Sequence, residues 1–253
     1  MIGERWANEQ NFNPRMIGGL VLWLDASDPS ANGVPPGNAT TLQTWVDKST
    51  QGNNATQATA GNRPTFNTNQ INGKGAIIFG VSKFMSVGSS GFPSGSAART
   101  WFGVVNTSSA STGAYVFLYG TNTLNQYWSP LNIGSPFTVN SALFIDTFGR
   151  GAYGSTSIAN STNYIFEMNY TAGTNLSQTA MIINGNAQTV TANIDAVPNT
   201  VLSLGYISSS GSGGASQPWI GQIAELIFYN SSLSATAQGN VRRYLAKKWG
   251  ITA

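Results

Sequence analysis

The chain contains neither cysteine nor histidine among its 253 residues. Without cysteine it can form no disulfide bridge and no thiolate–metal site. Without histidine it lacks the side chain that most often serves as a general base or a metal ligand in proteins. Nucleophilic catalysis of the Ser-His-Asp or Cys-His type is therefore excluded.

Charged side chains are also scarce. They make up 8% of the residues and leave a formal net charge of +3, whereas about a quarter of the residues in a typical soluble domain are charged. The basic residues form one cluster, near the C-terminus: Arg242, Arg243, Lys247 and Lys248. A surface that follows a phosphate backbone needs a broader basic patch, so nucleic-acid binding is not expected.

Long apolar runs are missing as well. No stretch approaches the roughly 20 apolar residues of a membrane-spanning helix. Residues 1–19 carry charged side chains and no apolar segment of the kind that marks a signal peptide. The chain is therefore expected to fold in the cytoplasm of the cell that makes it, or to leave by a route that needs no such signal.

Short apolar runs are plentiful, and Asn, Ser, Thr, Gly and Pro separate them, as expected of strands joined by turns. Hydrophobic residues account for 41% of the chain and aromatic residues for 11%, which is enough for a sizeable core. Strands are predicted at 20–24, 76–79, 101–105, 115–119, 142–148, 164–170, 179–183, 201–206 and 220–229. Asn184 and Gly185 predict a hairpin turn, because both residues accept a positive φ.

One helix is predicted near the C-terminus. Its apolar residues recur at every fourth position: Ala237, Val241, Leu245 and Trp249. Ser234 can cap its start and Gly250 can end it. The basic cluster falls toward its C-terminal end, where cations complement the helix dipole, and is interpreted as a solvated helix face.

Residues 1–17 lack periodicity and are predicted to form an N-terminal arm, docked either on the same domain or on a neighbouring subunit. Residues 18–253 are predicted to form one domain. The Gly/Ser-rich stretch 208–214 is interpreted as a loop tip and not a linker, because the strands on both sides need each other for closure.

Six segments resemble, in the same order, landmarks of laminin-G-like, concanavalin A-like domains. They are 19–28 (GLVLWLDASD), 45–57, 63–66, 72–79, 219–229 and 244–251. The resemblance implies an all-β jelly-roll sandwich of two curved antiparallel sheets with one C-terminal helix, and it extends to virion proteins of phages and large DNA viruses. The family includes lectins, adhesion modules, glycosidases and virion components, so function must be argued from sites.

Glycoside hydrolysis requires two carboxylates about 5 to 10 Å apart. On a strand these would stand at alternate positions, since alternate residues share a face. None of the glutamates has an acidic residue two or four positions away. The chain is therefore predicted not to be an enzyme, and Glu225, in a late strand, is predicted to pair locally.

Three aspartates form the nearest approach to a calcium site: Asp25, Asp28 and Asp47. Calcium prefers clustered carboxylate oxygens. The favoured alternative is that these side chains accept hydrogen bonds from loop amides, as aspartate does at turns. No cofactor is predicted, and a structural calcium ion is the alternative left open.

Carbohydrate binding without catalysis requires exposed aromatic rings with amides or hydroxyls around them. Tyr127 and Trp128 are the first candidates, because turn residues follow them, and Tyr153 and Trp219 come next. The alternative interpretation places these rings in the core or against a sheet face.

The main prediction is a non-catalytic virion component: a minor capsid, capsid-decorating or fibre-associated protein made in the host cytoplasm. Its expected partners are other virion or assembly proteins, reached through residues 1–17, with glycans or a second copy of the chain as alternatives. The alternative function is a carbohydrate-binding host-attachment module at a cell surface or outside the cell. A degenerate glycoside hydrolase is the third hypothesis.

Overall fold

The computed structural model describes residues 12–108, 113–133, 141–209 and 217–253. These residues form two antiparallel sheets of nine strands each and a C-terminal helix, so the all-β sandwich prediction is confirmed. With strands numbered in chain order, the first sheet contains β1 Leu20–Asp25, β2 Thr40–Thr41, β5 Thr65–Ile71, β6 Lys74–Phe79, β8 Arg99–Thr107, β13 Asn163–Tyr170, β14 Ala180–Ile183, β15 Asn186–Ala187 and β18 Gly221–Tyr229. The second contains β3 Thr44–Trp45, β4 Ala55–Thr56, β7 Met85–Val87, β9 Ala114–Gly120, β10 Tyr127–Ile133, β11 Ala142–Asp146, β12 Gly151–Ser157, β16 Thr191–Ile194 and β17 Gly205–Ile207.

The order of strands is that of a sandwich with many crossovers. The first sheet runs β15-β14-β13-β8-β18-β6-β5-β2, and β1 also pairs with β18. The second runs β16-β12-β11-β10-β9-β17-β7-β4-β3. Strands distant in sequence are therefore neighbours in space, and residues far apart in the chain can meet on one face.

The core lies between the two sheets and is rich in aromatic rings. Trp101 of the first sheet stacks on Phe228 with ring centroids 3.8 Å apart. Trp101 also contacts Phe117 of the second sheet at 4.4 Å. Strands β8 and β18 are buried along almost their whole length, which explains why they read as continuous apolar runs and not as alternating ones.

The predicted helix is present as α1, Ala235–Trp249. The Ser234 hydroxyl accepts a hydrogen bond from the Ala237 amide at 3.3 Å. Gly250 ends the helix in the left-handed conformation, with φ of 66°. Val241, Leu245 and Trp249 are buried. The described helix is not of a length and apolarity that would cross a membrane.

Residues 12–17 of the predicted arm lie against their own domain. The ring of Phe12 is 6.0 Å from that of Tyr244, and the Tyr229 hydroxyl donates to the Pro14 carbonyl at 2.9 Å. Arg15 donates from Nε to the Lys48 carbonyl at 2.6 Å. Residues 1–11, like residues 210–214 of the predicted loop tip, lie outside the described part of the chain.

Some local predictions differ from the structure. Pro130 suggested a turn after Tyr127 and Trp128, but Tyr127 begins strand β10. The pairing of β10 with β9 shifts between Trp128 and Leu131, and this shift accommodates the proline. The strand predicted at 201–206 begins at Gly205. The Asn184-Gly185 turn is confirmed, with φ of 46° and 77°.

Candidate functional site

The aromatic residues predicted to stack on sugars are mostly interior. Tyr127 is 2% exposed, and Trp128 and Trp219 are each 0% exposed. Because a stacking platform must present its face to the ligand, these three rings cannot act as predicted. Tyr153 is half-buried, and its role in binding stays a prediction.

The three aspartates of the calcium hypothesis do not form a site. Lys48 Nζ lies 2.9 Å from Asp25 and 3.0 Å from Asp28, in the position a cation would take between them. Asp47 instead accepts backbone hydrogen bonds from Trp23 at 2.9 Å and Ser49 at 2.8 Å, as the alternative interpretation proposed. Over the described ranges there is no group of three or more acidic or other metal-binding side chains arranged to hold an ion.

Asp25 and Glu225 are a carboxylate pair that sequence spacing did not reveal. They are direct partners in the pairing of β1 with β18. Lys248 joins them, at 2.6 Å from Asp25 and 2.8 Å from Glu225. This lysine is not part of a solvated face, so the interpretation of the basic cluster is wrong at this position.

Glu225 has no free oxygen with which to perform chemistry. It accepts hydrogen bonds from Trp23 at 2.7 Å, Tyr244 at 2.8 Å and Trp249 at 2.6 Å, in addition to Lys248. It is fully buried, and this burial raises its pKa against the opposing charge of Lys248. The pair therefore links β1, β18 and α1 inside the domain. Glu225 was predicted to pair locally, but its partners belong to β1 and α1 and are distant from it in the sequence.

A second polar cluster lies on the face of the second sheet that points away from the core. Leu118 stands between Phe117 and Tyr119 of β9, whose rings are in the core, so it points to the other face. Tyr115 and Tyr127 join Leu118 in a separate apolar cluster. This face therefore carries aromatic side chains of its own.

Asp146 is the carboxylate of this cluster. Its Oδ2 accepts hydrogen bonds from the hydroxyls of Tyr115 at 2.6 Å and Tyr127 at 2.5 Å. The two hydroxyls are 3.0 Å apart. No cation pairs with Asp146 among the described residues. Burial raises its pKa, and the hydrogen bonds from the two tyrosines oppose the rise.

Phe148 projects beside this cluster. It is 44% exposed, and its ring meets that of Tyr127 edge-on with centroids 5.8 Å apart. Its backbone amide donates to Asp146 Oδ1 at 2.8 Å. Its φ is 60°, a left-handed conformation that is unusual for a bulky residue and is often found at functional sites.

Further exposed apolar residues lie on segments that are hydrogen-bonded to the Phe148 turn or to each other. The loop 121–126 is joined to it by a hydrogen bond from the Asn125 amide to the Phe148 carbonyl at 3.2 Å. Asn125 Nδ2 donates to the Val197 carbonyl at 2.9 Å. Leu124, Phe148, Val197 and Val201 are all between 42% and 54% exposed, and we call these four residues, with Asn125, the Phe148 rim.

The rim combines one partly exposed aromatic ring, exposed aliphatic side chains and the Asn125 side-chain amide, and the Asp146 carboxylate accepts a hydrogen bond from the Phe148 amide. Such a surface can stack on the apolar face of a ring-shaped ligand and hydrogen-bond to its hydroxyls. The sequence signal was an aromatic residue inside a turn, Asp146-Thr147-Phe148-Gly149. It was missed because 142–148 was assigned to one strand, whereas β11 ends at Asp146.

Comparison with known proteins adds a fold relationship. Neither a family model nor a curated protein matches the sequence. Among solved structures, domain 4 of AbnA, a GH43 extracellular arabinanase from Geobacillus stearothermophilus, in complex with arabinotriose, is 15% identical with a TM-score of 0.55, over 86% of this chain and 95% of that one. A GH54 α-L-arabinofuranosidase is 14% identical with a TM-score of 0.57, over 83% of this chain and 51% of that one.

A third structure is an arabinofuranosidase complexed with arabinofuranosyl-α-1,2-xylobiose, at 15% identity and a TM-score of 0.56, over 84% of this chain and 52% of that one. The chain thus spans about half the length of the arabinofuranosidases. At these identities the likeness establishes the fold alone.

The prediction of a virion structural protein is corrected by this comparison. The matched chains are a domain of an arabinanase and two arabinofuranosidase structures, and this finding supports the alternative prediction better than the virion prediction. Residues 12–17, part of the arm through which virion partners were expected to bind, pack on their own domain.

Proposed function

We propose that the chain is a non-catalytic carbohydrate-binding domain whose ligand stacks on Phe148. The observation that carries this proposal is the conformation of Phe148: a bulky residue held at positive φ, with its amide fixed by Asp146 and its ring against Tyr127. An exposed ring fixed in this way loses little conformational freedom when a ligand binds, which favours affinity.

The absence of catalysis is part of the proposal. The one close carboxylate pair described above, Asp25 and Glu225, is bound by Lys248, by two indole N–H groups and by the Tyr244 hydroxyl. A glycosidase requires its two carboxylates to face a cleft that holds the sugar. Asp146 is bound to two tyrosines and has no second acidic partner in the contacts of the described residues.

The ligand class proposed first is an arabinose-containing oligosaccharide. The similar domain of the arabinanase was determined with arabinotriose, and this chain covers nearly all of that domain. The rim adds what a small neutral sugar requires, an aromatic face with an amide beside it.

Titration calorimetry with arabinotriose, followed by a panel of neutral oligosaccharides, tests the proposal. We expect Phe148→Ala to weaken binding about tenfold or more, since losing an aromatic contact of ~1.4 kcal/mol has that effect. Val81→Ala is the control, because Val81 is exposed in the β6–β7 connection and not in the rim. Equal affinities for wild type and Phe148→Ala, or no binding to any sugar of the panel, would refute it.

A reducing-end assay on arabinan and arabino-oligosaccharides tests the non-catalytic part. We expect no product above the buffer blank. Product formation that disappears in Glu225→Gln or Asp146→Asn would show that the chain is an enzyme.

A further inference from the structure

Arg99 is a fully buried cation at the start of β8. Its guanidinium lies 4.4 Å above the Trp128 ring. No carboxylate pairs with it within the described parts of the chain. Burying a charge without a counter-ion is costly, so this arginine requires an explanation that packing alone does not give.

The guanidinium donates hydrogen bonds to neutral oxygens at one end of the sandwich. Nη1 donates to the Tyr119 hydroxyl at 2.6 Å and to Thr200 Oγ1 at 3.0 Å. Nη2 donates to the Gly95 carbonyl at 2.8 Å. Gly95 and Thr200 also exchange two backbone hydrogen bonds, at 2.7 and 3.2 Å. Arg99 thus fixes Thr200 through both its side chain and its backbone partner.

Thr200 belongs to a segment that reaches the Phe148 rim. The Val201 amide donates to the Gln126 carbonyl at 2.9 Å, and the Asn199 amide donates to the Asn125 carbonyl at 3.1 Å. Asn125 in turn donates to the Phe148 carbonyl, and the Thr147 hydroxyl donates to Asn125 Oδ1 at 2.9 Å. A continuous chain of hydrogen bonds therefore runs from Arg99 to the turn that presents the aromatic ring.

We propose that Arg99 is a positioning residue for the glycan-binding rim, acting through Thr200 to hold Asn125 and Phe148 in the geometry that receives the sugar. This inference rests on the proposed function, because it assigns Arg99 a role in the same site. It explains why a charge is retained in the interior: a planar guanidinium reaches Tyr119, Thr200 and Gly95 at once, which an apolar side chain of similar size cannot do.

The test removes the contact and leaves the arginine in place. Thr200→Val deletes the acceptor hydroxyl with little change of shape, and Thr200→Ser keeps it. Thr179→Val is the matched control, because Thr179 is equally buried and its hydroxyl has no hydrogen-bond partner among the described residues. Arabinotriose affinity and the hydrogen exchange of the Asn125 amide are measured for each variant.

We expect Thr200→Val to weaken arabinotriose binding about tenfold and to speed exchange at Asn125 about tenfold, the effect of losing one hydrogen bond to a charged group. Thr200→Ser should restore both values, and Thr179→Val should change neither. Exchange at Ile165 in β13, which belongs to the other sheet, should stay constant in every variant. If Thr200→Val does not fold, Thr200→Ala, which leaves room for a water beside Arg99, replaces it with the same expectations.

Unchanged exchange at Asn125 in Thr200→Val, or a Thr200→Ser protein as impaired as Thr200→Val, would overturn the role of Arg99. If wild-type protein binds no sugar of the panel, the proposed function fails separately, and the exchange data alone decide whether Arg99 positions the rim.

Discussion

At the scale of single residues, we expect Phe148 to contribute to glycan binding but little to the stability of the fold. Its ring contributes little to the core, and its positive φ costs about 1 kcal/mol or more. Asn tolerates that conformation, so we expect Phe148→Asn to change the free energy of unfolding by less than about 1 kcal/mol while weakening glycan binding about tenfold or more. Denaturant unfolding and calorimetry on the same preparation measure the two effects.

A buried aromatic residue replaced by a small side chain typically loses about 3–5 kcal/mol. Phe117→Ala, in the core between the sheets, is therefore the contrasting variant. A loss of that size in Phe148→Asn would show that the Phe148 ring is a core residue and not a platform.

Asp146 predicts a pH dependence of the stability of the fold. Burial raises its pKa above the ordinary value of 3.8, against the opposing hydrogen bonds of Tyr115 and Tyr127. In the window between 3.8 and the raised pKa, the folded state holds a proton that the unfolded state has released. The contribution of Asp146 to stability is therefore present at acid pH and is lost as the pH rises through that window.

We expect the melting temperature of the wild type to fall relative to that of Asp146→Asn as the pH rises from about 4. Asp195→Asn is the control of opposite sign. Slight burial would raise the pKa of Asp195, but hydrogen bonds from Ser177 outweigh it and lower the pKa. If the difference in melting temperature between wild type and Asp146→Asn does not vary with pH, the raised pKa of Asp146 is contradicted.

At the scale of elements, one lysine joins the helix to two strands. Lys248 of α1 neutralises both Asp25 of β1 and Glu225 of β18. We expect Lys248→Met to lower the free energy of unfolding by about 3–5 kcal/mol, because it leaves the fully buried Glu225 without a cation, whereas Asp25 keeps its contact with Lys48. Lys247→Met is the matched control, since Lys247 is the exposed neighbour on the same helix.

Chemical denaturation of both variants measures this difference. Similar losses in Lys248→Met and Lys247→Met would mean that the contacts of Lys248 add nothing beyond helix propensity.

The same element illustrates what the sequence could predict. The helix could be predicted because its signals are local in the sequence: Ser234 at its start, apolar residues at every fourth position and Gly250 at its end. The Asp25–Glu225 pair did not, because its members are brought together by strand pairing across most of the chain. The basic cluster was misinterpreted for the same reason: Arg242 meets Glu167 at 2.8 Å, a contact invisible to spacing.

The candidate site was the least predictable part. Tyr127 and Trp128 were chosen because turn residues follow them, but Pro130 sits at a shift of strand register, so β10 continues and buries both rings. The aromatic residue that is exposed, Phe148, lies in the turn that follows β11. Aromatic composition could show that a platform was available, whereas its position depended on where β11 ends.

At the scale of the whole molecule, the fold was predictable because ordered landmarks agreed with independent strand and helix patterns. The function was not, because the same sandwich serves many purposes and its surface decides among them. The candidate site lies at one end of the second sheet and not at the core-facing tryptophans. There Arg99, Thr200, Asn125 and Phe148 connect the interior to an exposed rim.

The contacts of residues 12–17 make it possible to test whether the predicted arm belongs to its own domain. Deleting residues 1–17 removes the Phe12 contact with Tyr244 and the acceptor for the buried Tyr229 hydroxyl. It also removes Arg15, whose guanidinium lies 5.7 Å from the Trp23 ring. We expect a loss of about 2–4 kcal/mol in the free energy of unfolding, measured by denaturant unfolding.

Deletion of residues 1–11 is the matched control, since it leaves each of these contacts in place. The difference between the two truncations therefore isolates residues 12–17, and in a domain of this size it should appear as a fall of several degrees in melting temperature. Tyr229→Phe, which removes the unpaired hydroxyl, should recover part of the loss in the longer deletion. Identical melting of the two truncations would mean that residues 12–17 contribute nothing to their own domain, and docking on a neighbouring subunit would then be the better explanation of the arm.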